Sequence, residues 1–478
     1  MFACANGWLC RGLTVGQHVQ KEVKVSAAED TEVKIPPGRE FQLPTDPDHL
    51  WDGLQDVGLG IRWVAEVKKA DMQIELSGPK WEYKSYTILE VIEDPNQVRD
   101  GIVTLIGPDI HEVEPGTSAP SAWEIKVYGP GITQRHREYV ERQMAMALHG
   151  IEGYMAFGSF QAPWMRISKA VVGRLTFAKL CQVVHAYVKT VVPQVEKMEF
   201  RWIVATPEVG GLDLILPLYK RGIERLKAQE QSVALEDEDV DIFYGCTICK
   251  SLAPNHVCAI TPSQIPYCGI LSYNGAQVTV ELDPEGYIFP MPKGECRDPD
   301  LGSYTGVDEA VYERSNHQVK RVNIFSAIRY PTTNCGCFEG AAFYIPEVDG
   351  LGLAIRRYIG VTPLGIKFSR LAGMISGGSQ NHGYKGISLR SMQSKTFLKG
   401  DGGWNRIVWM PADMKQEMAE YIPEEVYDKI ATEQDTIDPG ELREFLKQKG
   451  HPIVERFWKN GEPQPLNLPP PGGDWPDE

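Results

Sequence analysis

The sequence has no run of about 18 apolar residues that would span a membrane, and its first residues lack the basic and apolar regions of a signal peptide. Basic residues are also scarce: 49 Lys and Arg stand against 64 Asp and Glu, which gives a formal net charge of −15. A surface of that sign repels phosphate backbones and anionic lipids. We therefore expect a cytoplasmic protein that binds neither nucleic acid nor membranes.

Known nucleotide-binding loops are missing too, since neither G-x-G-x-x-G nor the P-loop pattern occurs. The sequence also contains no internal repeat. Apolar residues make up 42% of the chain and charged residues 24%, which excludes disordered, collagen-like and coiled-coil proteins. The 478 residues correspond to two or three domains, and the acidic run at 235–241 marks the predicted boundary. The predicted parts are an N-terminal segment (1–30), an α+β domain (31–230), a second mixed α/β domain (231–465) and a flexible tail (466–478).

The first of these domains contains clear strand and helix patterns. Amphipathic helices are predicted near 136–148 and 177–188, because apolar residues recur there on one helical face. A more polar helix is predicted over 216–232. Short runs of β-branched and aromatic residues between turn residues predict four strands, at 86–92, 101–107, 123–129 and 199–205.

Cysteines are rare, 10 in all, but four of them lie close together in the second domain. Cys246, Cys249, Cys258 and Cys268 form the pattern C-x2-C-x8-C-x9-C. Four thiolates so near in sequence can surround one centre, and four cysteines are the usual ligand set of a [4Fe–4S] cluster. A structural zinc site uses the same four ligands. Zinc ribbons usually show two C-x2-C pairs, so the wide second spacing favours iron–sulfur and leaves zinc as the alternative.

A second cysteine motif, Cys335-Gly336-Cys337, follows further along the chain. Its two sulfurs and two intervening backbone nitrogens can lie in one plane, because the middle glycine has no Cβ to obstruct a tight chelate. With both nitrogens deprotonated, this N2S2 set favours Ni(II) or Cu(II) over zinc. Both thiolates keep lone pairs with which to bridge to a second metal. A plain turn is the alternative for an isolated C-x-C, but the neighbouring four-cysteine set favours a metal site.

At these residues the sequence resembles the CO-methylating acetyl-CoA synthases, the β-subunit type of the CO dehydrogenase/acetyl-CoA synthase complex. The resemblance lies in residues 243–269, 335–352 and 400–411. A weaker similarity, which includes residues 163–169, covers most of the chain from about residue 50 onward. All six cysteines of that family's metal site are present in the expected order and spacing. The resemblance implies that the domain over 231–465 carries a Ni–Ni–[4Fe–4S] cluster.

The resemblance further implies that Cys246, Cys249, Cys258 and Cys268 hold the [4Fe–4S] cluster. It also implies the reaction, in which acetyl-CoA forms from CO, coenzyme A and a methyl group donated by a corrinoid iron–sulfur protein. CO dehydrogenase would be the source of CO. Longer bacterial members have an additional N-terminal domain that docks CO dehydrogenase, and this sequence resembles the shorter form that lacks it.

The same resemblance implies the nickel ligands. Cys249 would bridge the cluster to a proximal nickel, and Cys335 and Cys337 would bridge that nickel to a distal one. The distal nickel would also take the backbone nitrogens of Gly336 and Cys337. The proximal nickel would keep an open position, as a catalytic metal does. The family usually has Phe three residues after the bridging cysteine, and this chain has Leu252 there, which implies a roomier pocket.

Other residues receive simpler interpretations. Trp164 and Arg166 pair an aromatic face with a bidentate phosphate donor, which makes them candidates for binding coenzyme A. His256 is expected to make a local loop hydrogen bond or to donate to a cluster sulfur. The loop that contains Gly377 and Gly378 is expected to be flexible and near the cluster.

Two other functions are compatible with the cysteine pattern. One is an electron-transfer protein that uses only the [4Fe–4S] cluster, and the other is a zinc-stabilised binding module without chemistry. The C-G-C motif argues against the electron-transfer protein, because electron transfer needs no N2S2 chelate.

Overall fold

The computed structural model describes residues 35–59, 67–77, 81, 85–157, 164–231, 235–251, 253–264, 272–336, 338–356, 358–389 and 391–475. The chain divides into two compact units between positions 234 and 235, which we call unit 1 and unit 2. Both units are mixed α/β, which confirms the predicted mixture of strands and helices. Among the described residues, we find no helix with both the length and the apolar character needed to cross a bilayer.

Unit 1 contains nine strands and three α-helices in its described part. The strands are β1 (Arg39–Gln42), β2 (Met72–Leu76), β3 (Ser85–Val91), β4 (Ile102–Ile106), β5 (Thr117–Ala119), β6 (Ser121–Tyr128), β7 (Tyr154–Phe157), β8 (Trp164–Ser168) and β9 (Lys197–Val204). The helices are α1 (Arg137–His149), α2 (Phe177–Val191) and α3 (Gly211–Gln231). The strands form a mixed five-stranded sheet in the order β1-β4-β9-β6-β3 and a four-stranded sheet in the order β5-β2-β8-β7.

The four strands predicted from the sequence are confirmed as β3, β4, β6 and β9, and all lie in the five-stranded sheet. Large aromatic side chains hold this sheet to helix α2. Trp123 and its register partner Trp202 stack with ring centroids 4.5 Å apart. Phe177 of α2 lies 4.6 Å from Trp202. Cys181 belongs to the same buried helix face, and burial raises the pKa of its thiol well above the ordinary value.

Unit 2 contains nine strands and seven α-helices in its described part. The strands are β10 (Ile242–Cys246), β11 (Cys258–Ile260), β12 (Ile288–Pro292), β13 (Cys296–Asp298), β14 (Ser303–Tyr304), β15 (Gly340–Ile345), β16 (Gly350–Ile355), β17 (Tyr384–Ile387) and β18 (Ile407–Trp409). The helices are α4 (Tyr273–Leu282), α5 (Thr305–Arg314), α6 (Phe368–Ile375), α7 (Ala412–Glu417), α8 (Glu424–Tyr427), α9 (Pro439–Lys449) and α10 (Pro452–Arg456). The sheets have the orders β11-β10-β12, β13-β14 and β17-β15-β16-β18.

Helix α3 begins earlier than the sequence predicts. The polar pattern places its start at residue 216, whereas the helix begins at Gly211 and includes Pro217. Proline lacks a backbone N–H and normally interrupts a helix. Here Leu214 and Ile215 are buried against the five-stranded sheet, so packing of the first turn outweighs the lost hydrogen bond.

The structure of the last residues also differs from what their composition suggests. Residues 466–478 are predicted to be flexible, but they pack against unit 2 as far as Trp475, whose side chain is only 6% exposed. The Trp475 indole Nε1 donates a hydrogen bond to His382 Nδ1 at 3.0 Å. Arg329 lies 4.6 Å from the centre of the same ring. Buried Trp475, together with backbone hydrogen bonds from Leu466 and Gly472, therefore attaches to unit 2 a proline-rich segment whose composition suggests flexibility.

His451 caps helix α10 from a fully buried position. Its Nδ1 accepts a hydrogen bond from the Ile453 N–H at 3.1 Å, and its Nε2 donates to the Ile407 carbonyl at 3.0 Å. Acceptance at Nδ1 requires the neutral imidazole. Burial lowers the pKa of His451 to about 4, from an ordinary value of 6.5. As the pH falls from 6.5 to about 4, the unfolded chain therefore takes up a proton that the folded chain resists.

We predict that His451 lowers the free energy of unfolding by up to about 3 kcal/mol between pH 6.5 and pH 4. His451→Asn keeps an acceptor for the helix cap but gains no charge, so it should lose this part of the pH dependence. Urea unfolding of both proteins at the two pH values measures the difference. An identical pH dependence in the two proteins would contradict the prediction.

Candidate metal centre

Two of the four clustered cysteines lie opposite each other in a β-ladder. Strand β10 ends at Cys246, strand β11 begins at Cys258, and the antiparallel register pairs these two residues directly. Both are 7% exposed in the core of unit 2, and neither forms a disulfide. Directly paired residues have Cβ atoms about 5 Å apart. Strand pairing therefore brings two candidate ligands together.

Cys249 follows on a short 3-10 helix, Ile248–Ser251, and is partly exposed. Its carbonyl oxygen accepts a hydrogen bond from the Ala253 N–H at 3.0 Å. The Ala253 carbonyl in turn accepts from the His256 N–H at 2.9 Å. These two turns lead the chain from the end of β10 to the start of β11, with Cys249 on the connection. We call residues 246–258 the cluster loop.

The Thr333 hydroxyl ties the C-G-C turn to the cluster loop. Its oxygen lies 3.0 Å from His256 Nδ1 and accepts a hydrogen bond from the Val257 N–H at 3.2 Å. Thr333 stands two residues before Cys335, and His256 two residues before Cys258. One buried hydroxyl therefore joins the two cysteine motifs. His256 thus makes the predicted local hydrogen bond through its backbone, to Ala253, and a contact through its ring to Thr333, 77 positions away along the chain.

Gly378 makes a second connection between the two motifs. Its N–H donates to the Asn334 carbonyl at 2.9 Å, and its φ of +83° is a left-handed conformation. A Cβ at this position would lie 3.0 Å from the His256 nitrogen and 3.3 Å from the Ala253 carbonyl carbon. Only glycine allows so close an approach at this backbone angle. The loop with Gly377 and Gly378 therefore contacts both the cluster loop and the segment that precedes Cys335.

The C-G-C turn is fixed from both sides. Gly336 has a φ of +131°, a backbone conformation that L residues with a side chain rarely adopt. Its carbonyl oxygen accepts a hydrogen bond from the Arg356 guanidinium at 2.7 Å. On the other side, the Asn334 amide oxygen accepts from the Gly386 N–H on β17 at 2.9 Å. Cys335, between these anchors, is partly exposed and so remains reachable.

A buried cation lies on strand β17. Lys385 is 4% exposed, and its Nζ donates a hydrogen bond to the Ile324 carbonyl. Burial lowers the pKa of Lys385 to about 8, while the Asp401 carboxylate and the Cys258 thiolate act in the opposite direction. Lys385 therefore places a positive charge within electrostatic range of a candidate cluster ligand.

Three predicted site residues, Leu252, Cys268 and Cys337, lie outside the described residues. Within the described ranges, no group of three or more His, Cys, Asp or Glu side chains comes together as metal ligands. The structure thus describes four of the six cysteines, on segments that Thr333 and Gly378 connect.

The candidates for coenzyme A binding lie in unit 1, on strand β8. Both Trp164 Nε1 and Arg166 Nε donate to the same oxygen of Glu75, at 3.0 Å and 2.8 Å. The Arg166 guanidinium lies 5.0 Å from the Trp164 ring centre. Glu75 is 4% exposed. A phosphate that bound Arg166 would therefore share the guanidinium with this buried carboxylate.

Both units match known families. Residues 226–456 match the family model for the C-terminal part of the ACS/CODH beta subunit, and residues 59–209 match the model for the beta subunit of the CO dehydrogenase/acetyl-CoA synthase complex. The acetyl-CoA decarbonylase/synthase complex subunit beta 2 of Methanocaldococcus jannaschii is 44% identical over 394 residues, which are 82% of this chain and 81% of the relative. The chain belongs to this beta-subunit family.

A second member of the beta-subunit family, from Methanopyrus kandleri, is 40% identical over 83% of this chain and 84% of its own length. The names of both relatives describe subunits of an enzyme complex. Among solved structures, the C-terminal domain of an acetyl-coenzyme A synthase alpha subunit is 38% identical and covers 25% of this chain and 94% of that domain, with a TM-score of 0.23.

Sequence reasoning missed three residues around the candidate centre: Thr333, Arg356 and Lys385. The Thr333 contact spans 77 positions, so no local pattern reveals it. The position of Arg356 could have been predicted from the sequence. A hairpin that pairs Gly340 with Ile355 places the next residue, Arg356, beside the C-G-C turn. Lys385 carried no signal, since a lysine in a short strand is normally on its solvent face.

We predict that Thr333→Val lowers the free energy of unfolding of unit 2 by about 1–3 kcal/mol, because His256 and the Val257 N–H lose this buried oxygen. Thr333→Ser keeps the hydroxyl and loses only a methyl group, so it should be the more stable variant. Urea unfolding of the metal-free chain, followed by circular dichroism, provides the comparison. If the valine variant were as stable as the serine variant, the hydroxyl would not join the two motifs.

Proposed function

We propose that this chain is an acetyl-CoA synthase subunit, which joins a methyl group and CO and passes the acetyl group to coenzyme A. The observation that carries the proposal is the junction at Thr333, which connects the cluster loop to the C-G-C turn. Membership of the beta-subunit family supports the same assignment. An electron-transfer protein would have no use for a C-G-C turn held beside a cluster loop.

The donor set fits a [4Fe–4S] cluster and two nickel ions. Thiolates are the usual ligands of iron–sulfur clusters, and a turn with a glycine at φ +131° suits a tight chelate. The ligands we assign to the cluster are Cys246, Cys249, Cys258 and Cys268. Those we assign to nickel are the thiolates of Cys249, Cys335 and Cys337 and the backbone nitrogens of Gly336 and Cys337.

When bound, nickel supplies an open coordination position at which the methyl group and CO are held together, so that C–C bond formation becomes intramolecular. The role of the protein is to hold the ligands in position and to balance their negative charge. Strand pairing fixes Cys246 opposite Cys258. The Arg356 guanidinium holds the Gly336 carbonyl. Lys385 offsets part of the negative charge that an all-thiolate ligand set accumulates, which matters because buried charges require compensation.

We assign further contacts to substrates and partners. A corrinoid iron–sulfur protein would donate the methyl group, and CO dehydrogenase would supply CO. Trp164 and Arg166 are the candidates for coenzyme A, with Glu75 holding both side chains. Leu252 would form a wall of the nickel pocket, and because leucine is smaller than the phenylalanine of the resembled family, we expect the pocket to be roomier.

Metal analysis tests the proposal directly. The chain purified without oxygen should contain about two nickel and four iron atoms, with sulfide. Iron without nickel would favour an electron-transfer protein, and zinc alone would favour a binding module. Nickel-loaded, reduced protein should also exchange labelled CO into the carbonyl group of acetyl-CoA. Absence of exchange in fully loaded protein would contradict the proposal.

We predict that Cys335→Ser abolishes nickel binding at the C-G-C turn and leaves the iron–sulfur absorbance largely intact, because Cys335 is assigned to nickel and not to the cluster. Cys296→Ser is the matched control, since Cys296 is exposed on β13 and should leave both metals in place. Nickel and iron contents of the two variants are measured by elemental analysis. Loss of iron together with nickel in Cys335→Ser would contradict the prediction and show that the two motifs fold as one unit, whose metals cannot be removed separately.

A further inference from the structure

Arg356 is placed beside the C-G-C turn by the register of a hairpin. It directly follows strand β16, and its backbone N–H donates to the Glu339 carbonyl at 2.9 Å. Glu339 directly precedes strand β15, whose first residue, Gly340, pairs with Ile355. The backbone of Arg356 is therefore fixed by the sheet, at the level where the C-G-C turn enters β15.

The guanidinium of Arg356 is aimed at the turn. One terminal nitrogen donates to the Gly336 carbonyl at 2.7 Å and to the Phe338 carbonyl at 3.0 Å. The guanidinium carbon lies 5.7 Å from the ring centre of Phe338 and 5.6 Å from that of Phe368. Two aromatic rings thus restrict the side chain and partly exclude water from it, which strengthens its hydrogen bonds.

The Gly336 carbonyl belongs to the same peptide group as the Cys337 nitrogen. When that nitrogen binds nickel, its N–H bond is broken, the proton passes to solvent, and a nitrogen–nickel bond forms without any change of oxidation state. The negative charge left on the peptide group is shared between nitrogen and oxygen by resonance. A cation that already donates to this oxygen is in place to stabilise the charge, because hydrogen bonds between charged groups are about twice as strong as neutral ones.

We infer that Arg356 is a positioning residue for the distal nickel, which holds the Gly336 carbonyl and balances the charge of the Cys337 peptide nitrogen in its metal-bound form. The inference rests on the proposed function, since it assumes nickel at the C-G-C turn. Arg356 lies outside both cysteine motifs. The inference is that it favours the binding of a metal that takes a peptide nitrogen as ligand. The alternative is a purely structural role, in which Arg356 only packs against two aromatic rings. The experiment must distinguish this role from a role in nickel binding.

The test is the affinity for Ni²⁺ of the nickel-free chain that carries its iron–sulfur cluster, measured without oxygen by competition with a chelator. Three variants separate the contributions of Arg356. Arg356→Met removes charge and hydrogen bonds, Arg356→Gln keeps a neutral donor, and Arg356→Lys keeps the charge. The control is Arg314→Met, which also removes a guanidinium stacked on a ring, here that of Phe289 at 4.7 Å. X-ray absorption at the nickel edge counts the nitrogen ligands in each protein.

We predict that Arg356→Met binds nickel about 10- to 100-fold more weakly, as is typical when a residue supporting a metal ligand is removed, and that nitrogen ligands disappear from its nickel spectrum. Arg356→Lys should recover part of the affinity, Arg356→Gln less, and Arg314→Met should match the unaltered chain. The free energy of unfolding of each metal-free variant shows whether a loss of affinity follows from a loss of stability.

The outcomes distinguish this inference from the proposed function. If the unaltered chain binds nickel through peptide nitrogen but Arg356→Met does so equally well, the inference is wrong and the proposed function stands. If the unaltered chain binds no nickel through nitrogen, the proposed function fails and the inference with it. Should Arg356→Met fail to fold, equal affinities of the lysine and glutamine variants would overturn the role of the charge.

Discussion

One buried hydroxyl group makes the direct polar link between the two cysteine motifs of unit 2. The Thr333 oxygen contacts His256 and Val257, and so connects two segments that strand pairing alone does not join. The cluster loop belongs to the sheet β11-β10-β12, and the C-G-C turn leads into the sheet β17-β15-β16-β18. The two sheets share a hydrophobic core, in which Cys246 and Cys258 pack with Phe338, and the Thr333 and Gly378 contacts add polar and backbone links directly beside the two cysteine motifs.

Charge balance is the second constraint on the centre. The chain carries a net charge of −15, and a thiolate-rich ligand set adds further negative charge in a poorly solvated region, where an uncompensated charge costs several kcal/mol or more. Two basic side chains lie near the cysteine motifs, Lys385 on β17 and Arg356 after β16. Neither is simply a surface residue: Lys385 is buried, and the Arg356 guanidinium packs beside two aromatic rings. Both fit a centre that concentrates negative charge.

The sequence predicts what depends on local patterns and misses what depends on distant contacts. Strands of the five-stranded sheet and the buried face of α2 follow from periodicity, and the cysteine spacing indicates a metal site before any fold is known. The start of α3 was placed five residues too late, because buried contacts outweigh a proline there, and a flexible tail was expected where Trp475 packs against unit 2. The Thr333 junction joins residues 77 positions apart, and no local pattern encodes such a contact.

The most direct test of the account is anomalous X-ray diffraction from crystals of the chain loaded with metals without oxygen, recorded at the iron, nickel and zinc absorption edges. We expect the iron signal beside the paired Cys246 and Cys258, and nickel signals at the turn that contains Cys335 and Gly336. A zinc or iron signal at that turn, or nickel bound away from both cysteine motifs, would contradict the claim that the two motifs build one catalytic centre.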